Sequence, residues 1–495
     1  MRRIVFIFVL LSLLAVGVIF KLFTLMSENH EQVLISGGKT SITVDGGYGN
    51  IYDRNLISFT NRESRLLAVD ISDGKPEITQ NTGNSEFVFS SPIRYTENTA
   101  VHITDSIERA YSDYLQTFHV ENKVYFGADA KGKVLDGLPV QVIKPEPKNG
   151  GVVLTLDRDI QKIAEDAAKV GGLSKGAIVI MDMKGDIIAA VSLPDYDRSR
   201  VEDYLDSPDS PLYNRVSAPY AVGSVFKLTA AATALEAGIS PEYTYNCKGF
   251  INVGGNHFNC HSWAGHGVIN IHDAIVTSCN PFFISLTEDL NLQRYYSNIE
   301  KFGFGEDIPL APGMISASGN LPTMTELRVP AELANLSFGQ GKLTASPLQI
   351  CRFTVSIAGG GVLPPVRLVM GLADDIESFE PDSQLLGERI MSEQTAAFLR
   401  YAMYDTIQKS VRTAIPNGVT AAGKTSTAQT GQFKPDGTEI VRVWFTGFFP
   451  YHKPKYAVTV ICEDGISGTL TAAPVFADIA AKITEKHKNI TEKPL

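Results

Sequence analysis

Residues 225–237, Val-Phe-Lys-Leu-Thr-Ala-Ala-Ala-Thr-Ala-Leu-Glu-Ala, read as a helix with almost no polar face. Alanine and leucine favour the helix, and Gly238 and Pro241 close it. A segment apolar nearly all round is stable only inside a core, so the fold must surround this helix. A chain of 495 residues, 44% of them hydrophobic, is long enough to do so and supports two or three domains. Yet Lys227 stands in the first turn of this helix and Ser224 just before it. A buried lysine gives up its charge, and a neutral lysine one helical turn from a serine has the spacing of a general base beside a nucleophile. The positive end of the helix dipole then points at the charge that grows on a substrate oxygen. Taken alone, Ser-x-x-Lys favours a plain serine N-cap.

Two further elements follow in order, Ser278-Cys279-Asn280 and Lys424-Thr425-Ser426-Thr427. Ser278 has the chemistry to relay a proton between Lys227 and a leaving amine, and Asn280 can both donate to and accept from a peptide backbone. Asn280 before Pro281 is equally an ordinary helix start. The Lys424 segment, Thr-Ala-Ala-Gly-Lys-Thr-Ser-Thr-Ala-Gln-Thr, reads as a strand of short residues along which an extended peptide can lie.

Together these residues resemble the three signatures of the penicillin-binding proteins, the serine D,D-transpeptidases of peptidoglycan synthesis. Gly-Ala-Ile-Val-Ile-Met-Asp at 176–182, Gly-His-Gly at 265–267, Thr-Ala-Ser-Pro-Leu-Gln at 344–349 and Trp-Phe-Thr-Gly-Phe-Phe-Pro at 444–450 extend the resemblance over roughly 150–490. Gly-Asn-Ile-Tyr-Asp-Arg-Asn at 49–55 resembles the start of the non-catalytic module of the monofunctional class B members. The resemblance implies that Ser224 is the acylated nucleophile, Lys227 its base, and Ser278 and Asn280 the second-signature residues. It implies that Lys424 orients Ser278 and keeps Lys227 partly neutral by like-charge repulsion. Thr425 would bind the carboxylate of the substrate or of a β-lactam, and the amides of Ser224 and Thr427 would form the oxyanion hole. No metal or other cofactor is implied. Ser426 departs from the pattern, standing where the third signature has glycine. A side chain there that faces the cleft would slow bulky β-lactams; one that faces away would leave acylation unchanged.

A net charge of −10 with no long basic run argues against a nucleic-acid partner. Ile4 to Phe20 is an unbroken weakly polar or apolar run that continues past Lys21 to Met26, approaching bilayer length. Bulky Leu22, Phe23, Leu25 and Met26 leave no small-x-small cleavage site, which favours a signal anchor over a cleaved signal. Arg2 and Arg3 keep the short N-terminus cytoplasmic and place the remainder outside a plasma membrane. Five cysteines on that side raise the matter of a disulfide, and Cys247 and Cys260 bracket a turn-rich hairpin that pairs them. Cys279, Cys351 and Cys462 read as small buried hydrophobes. Cys247, His257, Cys260, His261 and His266 have the composition of a zinc site but the spacing of no standard finger, so no metal is expected.

The chain divides into a cytoplasmic stub and transmembrane anchor (1–26), a β-rich N-terminal pedestal-like module (27–148) and a transpeptidase domain (149–490). The boundary is Lys-Pro-Glu-Pro-Lys-Asn-Gly-Gly at 144–151. Short β-like runs and one helix at Asp105 to Thr117 fill the first module. The second has a helix at Arg158 to Lys169, a hairpin of Ala177–Asp182 with Ile187–Val191, strands at Val441–Phe449 and Tyr456–Cys462, and an apolar helical face from Val475 to Ile483. The expected class is α/β (α+β): an antiparallel sheet flanked by helices, with an adjoining all-helical subdomain. Glycines at 339–341 and 359–361 lack a phosphate-loop lysine and read as turns. The expected function is cross-linking of D-Ala-D-Ala stem peptides to an amine acceptor, with β-lactams as inhibitors and a membrane glycan polymerase as partner. A D,D-carboxypeptidase or serine β-lactamase shares the signatures but not the long N-terminal module. A β-lactam sensor needs several membrane segments and a cytoplasmic effector. A catalytically weak cell-wall scaffold rests on Ser426 alone.

Overall fold

The structure is a computed structural model that describes residues 13–21, 38–80, 83 and 85–491. Residues 13–21 are helical with exposed apolar side chains, and the remainder of the expected anchor lies outside the described residues. Among the described residues no helix is long and apolar enough to cross a membrane.

The chain separates into two compact units. The first comprises residues 1–50, 60–96 and 114–150 and contains two three-stranded antiparallel sheets. Strands Lys39–Asp45 and Glu121–Gly127 alternate buried and open positions, and Val44, Val124 and Phe126 pack with Leu67, Val69 and Phe89 of the second sheet. The second unit takes residues 51–59, 97–113 and 151–495. The Ile-Tyr-Asp-Arg-Asn segment, expected to open the non-catalytic module, thus belongs with the larger unit. Its Asp53 carboxylate accepts from the amides of Asn55 and Ile57 (both 2.8 Å) and of Arg158 (3.1 Å). The expected helix at Asp105 to Thr117 begins earlier, at Val101, and breaks at Tyr111 into Val101–Ala110 and Ser112–Gln116. Val101, Ile103 and Ile107 supply the buried face of the first piece, and Leu115 is the buried residue of the second.

The larger unit is built on one antiparallel sheet of Gly176–Asp182 (β1), Ile187–Leu193 (β2), Ala422–Phe433 (β3), Glu439–Phe449 (β4) and Tyr456–Cys462 (β5). Its spatial order is β2-β1-β5-β4-β3, so β3, which carries Lys424 to Thr427, is an edge strand. The helices that frame the site are Arg158–Val170 (α1), Lys227–Glu236 (α2), Asn280–Glu288 (α3), Pro347–Ala358 (α4), Glu393–Asp405 (α5) and Ala473–Thr491 (α6). Helix α1, capped by Asp157, and α6 cover one face of the sheet: Ile160, Ala164, Val475, Phe476, Ile479 and Ile483 pack on Ile178, Ile180, Phe445 and Val460. Helix α4, opened by a Ser346–Gln349 capping box, packs on β1, β4 and β5 from the opposite side. Central strands buried on both faces explain why β1 and β5 read as continuous apolar runs.

The region between β2 and β3 is not the all-helical subdomain expected. Besides its helices it holds the two-stranded ladders Thr244–Cys247 with Gly267–Asn270, Phe250–Val253 with Asn256–Asn259, and Ile308–Ala311 with Met314–Ser316. Gly254 and Gly255, both at positive φ, make the turn of the second.

One buried ion pair ties the approach to Ser224 to the end of the sheet. Arg215 Nε donates to Glu463 Oε1 at 2.7 Å, and the Tyr220 hydroxyl donates to the same oxygen at 2.9 Å. The Arg215 guanidinium also donates to the carbonyls of Asp209 (2.8 Å) and Ser210 (2.9 Å). Burial beside this carboxylate pushes the Tyr220 phenol well above its usual range. Removing one partner strands a buried charge, so Glu463→Ala is expected to lose about 3–5 kcal/mol of stability in urea denaturation. A loss under about 1 kcal/mol would show the pair to be an ordinary surface contact.

Candidate active site

The nucleophile candidate sits where the chain turns sharply into α2. Gly223, at φ +65°, opens a 3-10 turn over Gly223–Phe226 that runs directly into the helix. A Cβ on Gly223 would lie 2.3 Å from Ser426 Oγ, so only glycine fits between the turn and β3. The Gly223 amide donates to the Gly339 carbonyl at 2.7 Å, which gives the glycine turn at 339–341 a supporting role the sequence did not reveal. Helix α2 is as buried as its composition demands, with all residues from Lys227 to Ala234 inside.

Lys227 is wholly buried, and its amine is the hub of the site. Nζ contacts the Ser278 carbonyl and Asn280 Oδ1 at 2.6 Å each, Ser224 Oγ at 3.0 Å and Ser278 Oγ at 3.2 Å. The first two are oxygens that only accept. A neutral amine satisfies them with its two protons and turns its lone pair to the hydroxyls, the arrangement a base needs before it takes the Ser224 proton. Burial first, and then the Lys424 charge, hold the Lys227 pKa well below the usual lysine range. Ser278 presents its carbonyl and hydroxyl from a left-handed conformation, φ +56°, that is costly for serine and is held by these bonds.

Lys424 Nζ donates to Ser278 Oγ at 3.0 Å and to the Thr425 carbonyl at 3.2 Å. It too is fully buried, and burial pushes its pKa down to about 7. The Thr425 carbonyl thereby faces the cleft, and strand alternation turns the Thr427 amide to the same open edge. Thr427 itself is exposed, and its Oγ1 accepts from the Gly468 amide at 3.3 Å. Ser426 points inward and donates to the Val222 carbonyl at 2.8 Å. Of its two alternatives, the side chain thus faces away from the cleft.

The expected residues Ser224, Lys227, Ser278, Asn280, Lys424, Thr425, Ser426 and Thr427 meet without exception, and all but the buried Lys227 line one open cleft of about 440 Å³. Thr406, Ser410, Gly468 and Thr469 also line it with no role expected from the sequence, as do His261 and His266, two of the histidines in the zinc-like composition. Cys247 and Cys260 do approach one another, but as free thiols rather than the expected disulfide. A third thiol, Cys279, and the His266 ring converge on the same point, with all four donor atoms within 4.8 Å of one another. His257 is turned away, bonded to Asn252 and Asn259.

Residues 176–481, more than half of the chain, match the penicillin binding protein transpeptidase domain. The chain belongs to that family. It is 30% identical over 398 residues to stage V sporulation protein D of Bacillus subtilis, a match covering 75% of this chain and 59% of that protein. It is 29% identical over 368 residues to the peptidoglycan D,D-transpeptidase PbpA of Mycolicibacterium smegmatis, covering 69% of this chain and 74% of that one. Its fold matches a chain from a structure described as a peptidoglycan synthase complex that coordinates polymerization and crosslinking (TM-score 0.69, 22% identity, 96% of this chain and 97% of the other).

Two predictions follow from the buried polar groups. A lysine whose folded pKa is depressed binds fewer protons folded than unfolded, so stability rises with pH between the folded value, about 7 for Lys424, and the unfolded value of about 10.4. The cost is complete below about 7. Lys424→Met is therefore expected to be more stable than wild type by on the order of 1–4 kcal/mol at pH 6, the gap narrowing by pH 9 in urea titrations. A gap that is constant with pH would mean that Lys424 keeps an ordinary pKa. Ser426→Gly should not speed acylation by bulky β-lactams, since no side chain is removed from the cleft. It should instead cost about 1–3 kcal/mol by leaving the Val222 carbonyl without its partner. Faster acylation with unchanged stability would contradict this placement.

Proposed function

We propose that the protein is a monofunctional class B penicillin-binding protein that cross-links peptidoglycan stem peptides by serine D,D-transpeptidation. The observation that carries this reading is the buried, charge-depleted amine of Lys227, 3.0 Å from Ser224 Oγ. Ser224 Oγ attacks the carbonyl of the penultimate D-alanine of a stem peptide laid along the open edge of β3, and its proton passes to Lys227. The amides of Ser224 and Thr427 receive the oxyanion. As the tetrahedral intermediate collapses, the C–N bond breaks and the proton travels from Lys227 through Ser278 to the departing D-alanine amine. An amine of a neighbouring stem then attacks the ester, gives its proton back by the same route, and frees Ser224. Lys424 and Thr425 bind the terminal carboxylate, and Asn280 holds the donor backbone. In a β-lactam the broken bond lies in a ring, so the leaving amine stays tethered and the ester persists.

The same reading makes the run from Ile4 a signal anchor in the plasma membrane, with the catalytic unit outside; Arg2 and Arg3 before the run support that orientation. A membrane glycan polymerase is the natural partner, because the glycan must be made where it is cross-linked. The fold shared with a chain of a peptidoglycan synthase complex supports that pairing. The scaffold alternative loses its footing, since Ser426 braces the nucleophile turn rather than obstructing the cleft.

After β-lactam treatment, peptide mass spectrometry should find a single adduct on the peptide containing Ser224, absent from Ser224→Ala. Lys227→Arg, which keeps the charge but cannot lose it, should acylate slower by about 10²-fold or more. An adduct elsewhere would overturn the nucleophile, and near-normal acylation of Lys227→Arg would overturn the base.

A further inference from the structure

The cluster of Cys247, Cys260, Cys279 and His266 is constructed by close backbone contacts. Cys247 ends the strand Thr244–Cys247, and its carbonyl accepts from the His266 amide at 3.1 Å. Cys260 follows the hairpin strand Asn256–Asn259, and its amide donates to the Gly249 carbonyl at 2.8 Å. Gly249 and Gly265, at φ +94° and +75°, let these two knuckles touch: a Cβ on Gly265 would lie 2.2 Å from the Cys247 carbonyl oxygen. Cys279 enters from the second signature at the start of α3. All three thiols are buried, and His266 is half-buried at the cleft.

Two of the separations have the size of a coordination tetrahedron, and none exceeds 4.8 Å. Zinc, with Zn–S about 2.3 Å and Zn–N about 2.0–2.1 Å, sets donor separations of roughly 3.8 Å between sulfurs and roughly 3.6 Å between sulfur and nitrogen. Cys260 Sγ lies 4.0 Å from Cys279 Sγ and 3.5 Å from His266 Nδ1. A disulfide needs sulfurs about 2.05 Å apart and would leave the third thiol and the imidazole without a purpose.

We propose that Cys247, Cys260, Cys279 and His266 form a closed structural Cys3His site for zinc, and that the metal positions Ser278 and Asn280. Three thiolates and an imidazole favour zinc over oxygen-seeking cations, and four protein donors leave no open position for catalysis at the metal. The positioning follows from the chain itself. Cys279 lies between Ser278, held at φ +56°, and Asn280, whose Nδ2 donates to the Asn259 carbonyl at 3.1 Å next to Cys260. The metal would thus fasten the two hairpins to the residues that grip Lys227, and would protect three thiols from oxidation outside the cell. The metal site stands on its own geometry, whereas its positioning role rests on the transpeptidase reading.

Full-length protein purified without chelators should contain one zinc per chain by plasma mass spectrometry. Replacement by Co2+ should give a thiolate-to-cobalt charge-transfer band and tetrahedral d–d intensity. Cys247→Ser and Cys260→Ser, both outside the signatures, should bind zinc at least about tenfold more weakly, while Cys462→Ser keeps its metal. Chelation should slow the acylation step of Ser224 by about tenfold or more with little change in the preceding β-lactam dissociation constant, and added Zn2+ should restore it. Should the serine variants fail to fold, the cobalt spectrum of the wild type decides. Absence of stoichiometric zinc together with no thiolate–cobalt band, or a Cys247–Cys260 disulfide in nonreducing peptide maps, overturns the site. Zinc present with an acylation rate indifferent to its removal overturns the positioning role. Zinc present with no β-lactam adduct on Ser224 overturns the transpeptidase reading and leaves the metal site standing.

Discussion

The amine of Lys227 has been taken out of water, and much of the larger unit exists to keep it there. An isolated buried ammonium costs several kcal/mol, so the group persists only because it can shed its proton and because every remaining bond is made. The Ser278 carbonyl and Asn280 Oδ1 take its hydrogens, and the two serine hydroxyls lie on its open side. The alanines of α2 serve the same end. Small side chains let neighbouring helices close around the helix on all sides, where larger ones would hold a gap open beside the lysine. Lys424 repeats the device at lower intensity: it too is fully buried, and burial pushes its pKa down to about 7.

A serine proposed as nucleophile also needs a fixed direction, and for Ser224 it comes from hydrogen bonds to the backbone just before it. The Gly339 carbonyl holds the Gly223 amide, Gly223 lets β3 approach, and Ser426 reaches across to the Val222 carbonyl. Below this, the Trp444 indole donates to the Ala221 carbonyl at 2.9 Å, so three consecutive residues before the nucleophile are each held by a hydrogen bond from elsewhere in the fold. Ser426 makes sense in this setting. A hydroxyl replaces the bare backbone usual at this point in the third signature, and it spends its bulk on a contact behind the cleft.

Much of this was legible in the sequence because it is local. The central strands of the sheet read as apolar runs because both faces are covered, and α2 read as buried because its run of alanines and leucines leaves it almost no polar face. The signatures were legible because Ser224 and Lys227 sit one helical turn apart, and Ser278 and Asn280 flank a single residue. What was missed is long-range. Cys279 read as a small hydrophobe because its sulfur meets Cys260, 19 residues away, only when two hairpins fold back upon α3. Cys247 and Cys260 suggested a disulfide because a pair was all that spacing could propose, and His266 looked no different from His257, which faces outward. Residues 51–59 were assigned to the wrong unit because their attachment depends on Asp53 meeting the amide of Arg158, more than a hundred positions on. The subdomain expected to be helical holds ladders of four residues or fewer, too short for a period-2 pattern to emerge.

The position of β3 resolves a conflict between binding and solubility. A strand that accepts a peptide must leave its outer amides and carbonyls unpaired, and an unpaired edge invites any other strand to add to it. Here Lys424 to Thr427 line a cleft whose other lining residues include Thr277, Ser278, Gly468 and Thr469. Gly468 packs so closely on β3 that a Cβ there would lie 2.7 Å from the Ser426 carbonyl oxygen, which keeps that wall in place. With Gly468 packed against it, the strand presents its unpaired groups to a cleft instead of to a long flat face, and it is the long flat edge that invites unwanted pairing.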